Sequence, residues 1–223
     1  MTKTIERTED GSATLLFTEM NEHYHSTKGA RTESQHIYID KGLNASNVEQ
    51  PHVLEIGFGT GLNALLTLET ANREQRVVHY TTIERYPLTW EEVQPLGYSD
   101  SLLFKELHTA SWDDDVRITR YFTLHKVFGD ATAHNGDSPA FVLNPAFKYD
   151  VVYFDAFAPE KQPEMWSEQL FNALNVSMNK GGILTTYCAK GEIRRQLQRT
   201  GFKVERLEGP VNGKREILRA VKE

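Results

Sequence analysis

The apolar positions of this chain change period repeatedly. Residues 52–57, "HVLEIG", form a short apolar run of strand length, after which Leu62, Leu65 and Leu66 recur on one face of a helix. "VVHYTTIER" (77–85) reads as a second strand, and "VRITRYFTLHKVFGD" (116–130) is β-rich and ends at Gly129-Asp130. "YDVVYFDAFAP" (149–159) holds the most strongly apolar strand, Val151 to Phe154, and Trp166, Leu170 and Leu174 then stripe one helix face. "GGILTTY" (181–187) predicts another strand, "GEIRRQLQRT" a short helix stopped at Gly201, and "REILRAVK" a closing strand. Strands separated by helical patterns imply βαβ units and a mainly parallel sheet covered on both faces, an α/β fold. Ahead of this core, "TIERTEDGSATLLF" reads as a hairpin with Asp10-Gly11 at its turn, and "SQHIYID" (34–40) as one more strand. The pattern thus predicts a β-rich N-terminal extension over residues 1–50 and one α/β domain over 51–223. Residues 131–148 contain two prolines and little periodicity, and read as loop with at most one helical turn.

Composition narrows the class. With 39% apolar and 25% charged residues over 223 positions, this is the profile of an ordinary globular domain with a sizeable core. No apolar run approaches the roughly 20 residues that span a bilayer, and "MTKTIERTEDGS" has no signal-peptide core, so no membrane partner is expected. Cys188 is the only cysteine, which excludes an internal disulfide and a zinc quartet and points to a reducing, cytoplasmic setting. The net charge of −6 does not by itself suggest a nucleic-acid partner. Its distribution does: residues 180–223 carry 11 Lys/Arg against five Glu, which leaves +6 on this tail and −12 on the rest. A basic segment on an acidic body fits phosphate contact through one face, and it fits a solvated helix and hairpin about as well. The oligomeric state is not written in the composition.

The densest chemistry is "VLEIGFGTGLNALL" (53–66), where Gly57, Gly59 and Gly61 sit at alternate positions between a strand and a helix. Such a turn aims backbone N–H groups into the crevice at the carboxyl ends of the strands. A dinucleotide fingerprint needs a glycine at its sixth position, and here that position is Leu62. The form E-x-G-x-G-x-G resembles instead motif I of class I S-adenosylmethionine-dependent methyltransferases, a Rossmann-like fold. That resemblance implies Glu55 near the methionine amino end of the cofactor and Gly57, Gly59 and Gly61 beneath it, with Phe58 at its border. Glu84 ends the second strand, where a carboxylate accepts both ribose hydroxyls. Asp130 follows the third, where it meets the adenine amino group while Ala131 offers a backbone N–H.

Asp155 stands at the end of the strongest strand, facing the transferable methyl group by sheet geometry. Methyl transfer is an in-line displacement in which the enzyme aligns the reactants. An alkyl amine with a pKa of ~10 attacks only when neutral, and a neighbouring carboxylate orients it and takes its proton. No hydrolase G-x-S-x-G motif occurs, the eight histidines show no metal spacing, and Cys188 is a weak rival as nucleophile.

Further motifs, "IERYPL", "FGDA", "FDAFAPEKQPEMW", "RRQLQRTGF" and "GKRE", follow the glycine turn in order. Together, from about Arg31 to Ala220, they resemble the methyltransferase module of the bacterial tRNA 5-methylaminomethyl-2-thiouridine biosynthesis proteins (the MnmC/MnmD type), here without a flavin fingerprint. The resemblance implies methylation of 5-aminomethyl-2-thiouridine at the tRNA wobble position, with Asp155 beside the amine and an anticodon stem-loop as partner. Phe157 and Pro159 are placed to line a pocket for a splayed-out base, and Lys161 to meet phosphate. Arg194, Arg195, Lys214 and Arg215 are candidates for contact with the tRNA backbone. Two rival readings remain: a methyltransferase for another amine, small-molecule or protein, and a non-catalytic RNA-binding module with a vestigial cofactor pocket.

Overall fold

The computed structural model describes residues 3–135, 138–139 and 148–223. Strands β1 (Lys3–Arg7) and β2 (Ala13–Phe17) pair antiparallel, and β3 (Glu22–His23) adds to β2. The hairpin turn is pinned by Asp10, whose Oδ1 accepts from the Thr8 hydroxyl at 2.7 Å and the Ser12 N–H at 3.0 Å. Hydrogen bonds from Thr8, Ser12 and Thr32 overcome its desolvation and hold this carboxyl well below the usual range.

The strand expected over 34–40 is not there. Helix α1 (Ala30–Ser34) runs into a π-helical segment, Gln35–Asp40, followed by a short 3₁₀ turn, Leu43–Ala45. Ile37, Tyr38 and Ile39 are all 1% exposed or less. Burial of three successive side chains is incompatible with a half-exposed strand, whose side chains alternate between two faces.

The central sheet comprises β4 (His52–Ile56), β5 (Val78–Glu84), β6 (Asp115–Thr119), β7 (Phe122–Phe128), β10 (Tyr149–Phe154), β11 (Met178–Thr186), β12 (Phe202–Glu208) and β13 (Glu216–Lys222). Two-residue strands β8 (His134–Asn135) and β9 (Ser138–Pro139) pair separately, and the helical turn allowed for in 131–148 falls largely outside the described residues. Across the sheet the order is β12-β13-β11-β10-β4-β5-β7-β6. The five strands from β11 to β7 run parallel, while β13, β12 and β6 are antiparallel to their neighbours. The chain turns from β4 to β5 on one side and reaches β10 on the other, so the order reverses between β4 and β10.

The core lies on both faces, as alternation along the strands requires. Val53, Val151 and Tyr153 face α2 (Leu62–Glu74), whose Leu62, Leu65 and Leu66 pack there with Ile37 and Tyr38. Leu54, Val152 and Phe154 face α5 (Glu168–Ser177) and α6 (Gly191–Arg199), meeting Trp166, Leu170, Leu174, Ile193 and Leu197. Helices α3 (Trp90–Val93) and α4 (Leu102–Thr109), like β12, lie outside the elements that periodicity predicts. The first is a single turn closed by a Thr89–Glu92 capping box. Among the described residues no helix is long and apolar enough to cross a membrane.

Candidate active site

Parallel registry brings the carboxyl ends of four strands to one line. Gly57 N–H donates to Ile83 O at 3.0 Å, Asp155 N–H to Ile56 O at 3.2 Å, and Gly129 N–H to Glu84 O at 3.0 Å. A cavity of about 690 Å³ opens over this line, with Gly57, Phe58, Gly59, Glu84, Asp130, Ala131 and Asp155 on its wall. Gly57 has φ +93°, and a Cβ there would approach Asp155 O to 3.1 Å, so glycine brings the turn against β10. Gly61, at φ +72°, serves packing instead: a Cβ would come within 2.6 Å of His108 Nε2, and the residue is not on the cavity wall.

Glu84 Oε2 accepts the Gly59 N–H at 3.0 Å and its Oε1 the Tyr86 N–H at 2.7 Å. One lone pair on each oxygen stays available to a ligand. Asp130 is more heavily engaged, with Oδ2 on Arg85 at 2.7 Å and Oδ1 accepting from the Thr132 N–H and hydroxyl.

Asp155 is fixed from two sides. Tyr38 donates its hydroxyl to Oδ1 at 2.6 Å, and Asn63, on the first turn of α2, donates its amide to Oδ2 at 2.7 Å. Desolvation raises the Asp155 pKa above its ordinary value, opposed by these two hydrogen bonds and by the Lys214 ammonium. The carboxylate is thus a stronger proton acceptor than one in water, held in a single orientation. Asn63 lies within the glycine-turn motif but was not singled out from it, and Tyr38 carries no motif and sits in the segment expected to be a strand.

The opposite wall comes from the N-terminal segment: Met20, Glu22, Tyr24, His25, Ser26, Thr27 and Glu33 all line the cavity. Tyr24 packs edge-on against Phe157, with ring centroids 5.1 Å apart, and Lys161 Nζ donates to Met20 O at 2.6 Å. His25 Nε2 lies 2.8 Å from the Thr60 hydroxyl, tying this wall to the glycine turn. Lys214 Nζ stands 3.5 Å over the Tyr187 ring.

Several expected site residues lie elsewhere. Glu55 is fully buried inside the sheet, where its Oε2 accepts from the Thr82 hydroxyl at 2.8 Å, and burial pushes its carboxyl pKa well up. By strand alternation it shares the face of Val53, under α2, and it is absent from the cavity wall. Pro159 is off the cavity wall: Ala158 O accepts the N–H groups of Lys161 and Gln162, closing a turn from which Phe157 and Lys161 reach the cavity. Arg194, Arg195 and Arg215 do not line it either. Part of the basic tail is ion-paired in place, with Arg199 on Glu168, Arg206 on Glu216, Arg219 on Glu205 and Lys190 on Glu160.

Comparison with known proteins agrees with this geometry. The profile of a family described as S-adenosyl-L-methionine-dependent methyltransferase matches residues 101–223. The tRNA 5-methylaminomethyl-2-thiouridine biosynthesis bifunctional protein MnmC of Leptospira interrogans is 31% identical over 208 residues, covering 87% of this chain and 32% of that protein. The chain therefore spans about a third of the length of the curated relatives it matches. Among solved structures, MNMC2 from Aquifex aeolicus superposes with a TM-score of 0.77 at 23% identity, covering 99% of this chain and 70% of that one. Spermidine synthase from Thermotoga maritima superposes at 0.59 with 13% identity, covering 99% and 69%. These two likenesses speak for the fold, a Rossmann-like class I architecture. With more than half of its length matched by the family profile, the chain belongs to the S-adenosyl-L-methionine-dependent methyltransferases.

Proposed function

We propose that this chain methylates the primary amine of 5-aminomethyl-2-thiouridine at the wobble position of tRNA, giving the 5-methylaminomethyl form. The observation that carries the reading is Asp155, a buried carboxylate oriented by Tyr38 and Asn63 at the reversal of strand order, beside the glycine turn. The names of the matched relatives support the substrate.

S-adenosylmethionine, when bound, supplies a methyl group on a sulfonium centre. The residues present fit it: Gly57 and Gly59 leave an open backbone turn, Glu84 keeps lone pairs for ribose hydroxyls, and Asp130 with Ala131 borders the adenine end. Phe58 is placed beside it. The cavity wall carries seven carboxylates (Glu19, Glu22, Glu33, Glu84, Asp130, Asp155, Glu164) against Lys3, Arg85, Lys161 and Lys214. That excess favours two cationic reactants, a sulfonium and an ammonium, and disfavours phosphate inside. A base splayed out of the anticodon loop satisfies both demands, since its amine enters while its phosphates stay at the rim. There, exposed Lys161, Arg195 and Arg215, with half-buried Arg194 beside them, remain as backbone contacts.

Asp155 accepts a proton from the substrate ammonium, which frees the nitrogen lone pair. The Asp155 carboxyl, held by Tyr38 and Asn63, then keeps the neutral amine oriented so that its freed lone pair would be aimed at the methyl group the cofactor would present. Lys214 and Tyr38 keep the carboxylate ionised between turnovers. A tRNA substrate places the reaction in the cytoplasm.

The test is nucleoside mass spectrometry of an anticodon stem-loop carrying 5-aminomethyl-2-thiouridine after incubation with isotopically labelled S-adenosylmethionine. Label in 5-methylaminomethyl-2-thiouridine is the expected result. Label on a different nucleoside only, or turnover of a free amine alone, overturns the reading.

A further inference from the structure

Glu33, in α1, is a carboxylate in this cavity that the reaction above does not use. The residue is 8% exposed. Its Oε2 accepts the Ser26 N–H at 3.0 Å, whereas Oε1 has no hydrogen-bond donor among the described residues although the side chain lines the cavity. A buried carboxylate oxygen without a donor is costly, by about 1–3 kcal/mol or more. Its nearest cation is Lys214, whose Nζ lies 4.0 Å from Oε1, too far for a hydrogen bond. Lys214 is itself held over the Tyr187 ring and feels the charges of both Glu33 and Asp155. Acceptor and donor thus stand side by side on the cavity wall that also carries Asp155, each with hydrogen-bonding capacity unspent.

The complement of such a pair is an imide edge, a ring N–H next to a carbonyl. Uracil presents this arrangement at N3–H and C4=O. Cytosine presents the reverse, an unprotonated N3 beside an amino group. A lone amine would use the acceptor and leave the ammonium facing nothing. We infer that Glu33 and Lys214 read the imide edge of the base being methylated, Glu33 Oε1 accepting the ring N–H and Lys214 donating to the adjacent carbonyl. This rests on the methyl-transfer reading above and adds to it the selection of a uracil-type base. Sites built to hydrogen-bond a particular edge discriminate strongly, because the wrong edge leaves their buried polar groups unpaired.

The experiment compares parent, Glu33→Gln and Lys214→Met on two anticodon stem-loops, one carrying 5-aminomethyluridine and one 5-aminomethylcytidine at the wobble position. The parent should prefer the uridine probe by about 10²-fold or more in kcat/KM. Glu33→Gln keeps an acceptor for Ser26 but can turn an amide N–H toward the base. It should lose about tenfold or more on uridine, mainly in KM, and narrow the uridine-to-cytidine ratio by at least about tenfold. Lys214→Met should weaken the same ratio. Cofactor affinity, measured by calorimetry, should be unchanged in both. An unchanged ratio in Glu33→Gln overturns the inference, and so does a loss explained entirely by weaker cofactor binding, which would mark a structural role. A parent that methylates neither probe while binding the cofactor refutes the underlying reading instead, and the two failures are told apart by that control.

Discussion

The two walls of the cavity are built in different ways. On the sheet side, the glycine turn, Glu84, Asp130 and Asp155 each follow a strand, and backbone hydrogen bonds between neighbouring strands bring them into line. On the other side, the segment from Met20 to Tyr38 has no motif and, beyond the two-residue strand β3, no sheet to organise it. Its residues reach the site through single side-chain contacts over long sequence separations, such as Tyr38 to Asp155 across 117 positions. The first wall is a consequence of topology, and the second depends on tertiary packing. A strand end can be found by pattern, whereas a residue docked from afar cannot.

That contrast can be broken at several points. The largest effect is expected on the sheet side: Asp155→Ala should lower methylation by about 10²-fold or more while leaving cofactor affinity in place, as read by single-turnover kinetics and calorimetry. Unchanged turnover would remove the mechanism. Next comes the N-terminal wall, where Tyr38→Phe deletes one donor to the same carboxylate. A hydrogen bond to a charged group is worth ~1.5–3 kcal/mol, so about a tenfold loss or more follows. Tyr38 holds the Asp155 pKa down against desolvation, so its removal should also move the acidic limb of the kcat/KM profile to higher pH. A limb that stays put would show that Tyr38 only packs.

Glu55 offers a smaller effect, on stability. Burial raises its folded pKa above the unfolded value, so the folded state binds this proton more tightly and stability falls as pH rises from the ordinary carboxylate range through the folded pKa. Glu55→Gln removes that loss. Relative to the parent, its Tm should rise by a few degrees on going from about pH 5 to about pH 8. A Tm difference independent of pH would contradict a raised Glu55 pKa. The smallest effect is expected at the rim, where charge reversal of Arg194 and Arg195 should lower the salt slope of tRNA binding by about one to two. Equal slopes would exclude this face from the tRNA contact.

Much of the first wall was legible before the fold. Gly57, Gly59, Glu84, Asp130, Ala131 and Asp155 were identified from their places after apolar runs, and all six line the cavity. Within the same motif the reading was uneven. Glu55 looked like a ligand contact because family motifs put an acid there, yet its side chain is fully buried against Thr82 and off the cavity wall. The three glycines looked equivalent, but Gly61 answers to His108, a residue on a distant helix. The basic tail fitted a phosphate face and a solvated face about equally well in the sequence, and pairs such as Arg199–Glu168 and Arg219–Glu205, made to acids far along the chain or across the β12–β13 hairpin, became visible only in the fold.

By itself, then, the sequence determined the parallel sheet, the glycine turn and the acids at successive strand ends. These follow from short-range periodicity and from chain connectivity, both written in consecutive residues. Only the tertiary structure decided that residues 30–40 are helical, that the N-terminal segment forms the second wall, and that Tyr38, Asn63 and Glu33 belong to the site. Those outcomes depend on which distant surfaces meet. Burial in a packed interior can override local propensity, and the hydrogen-bond needs of a buried carboxylate can be met from anywhere in the chain.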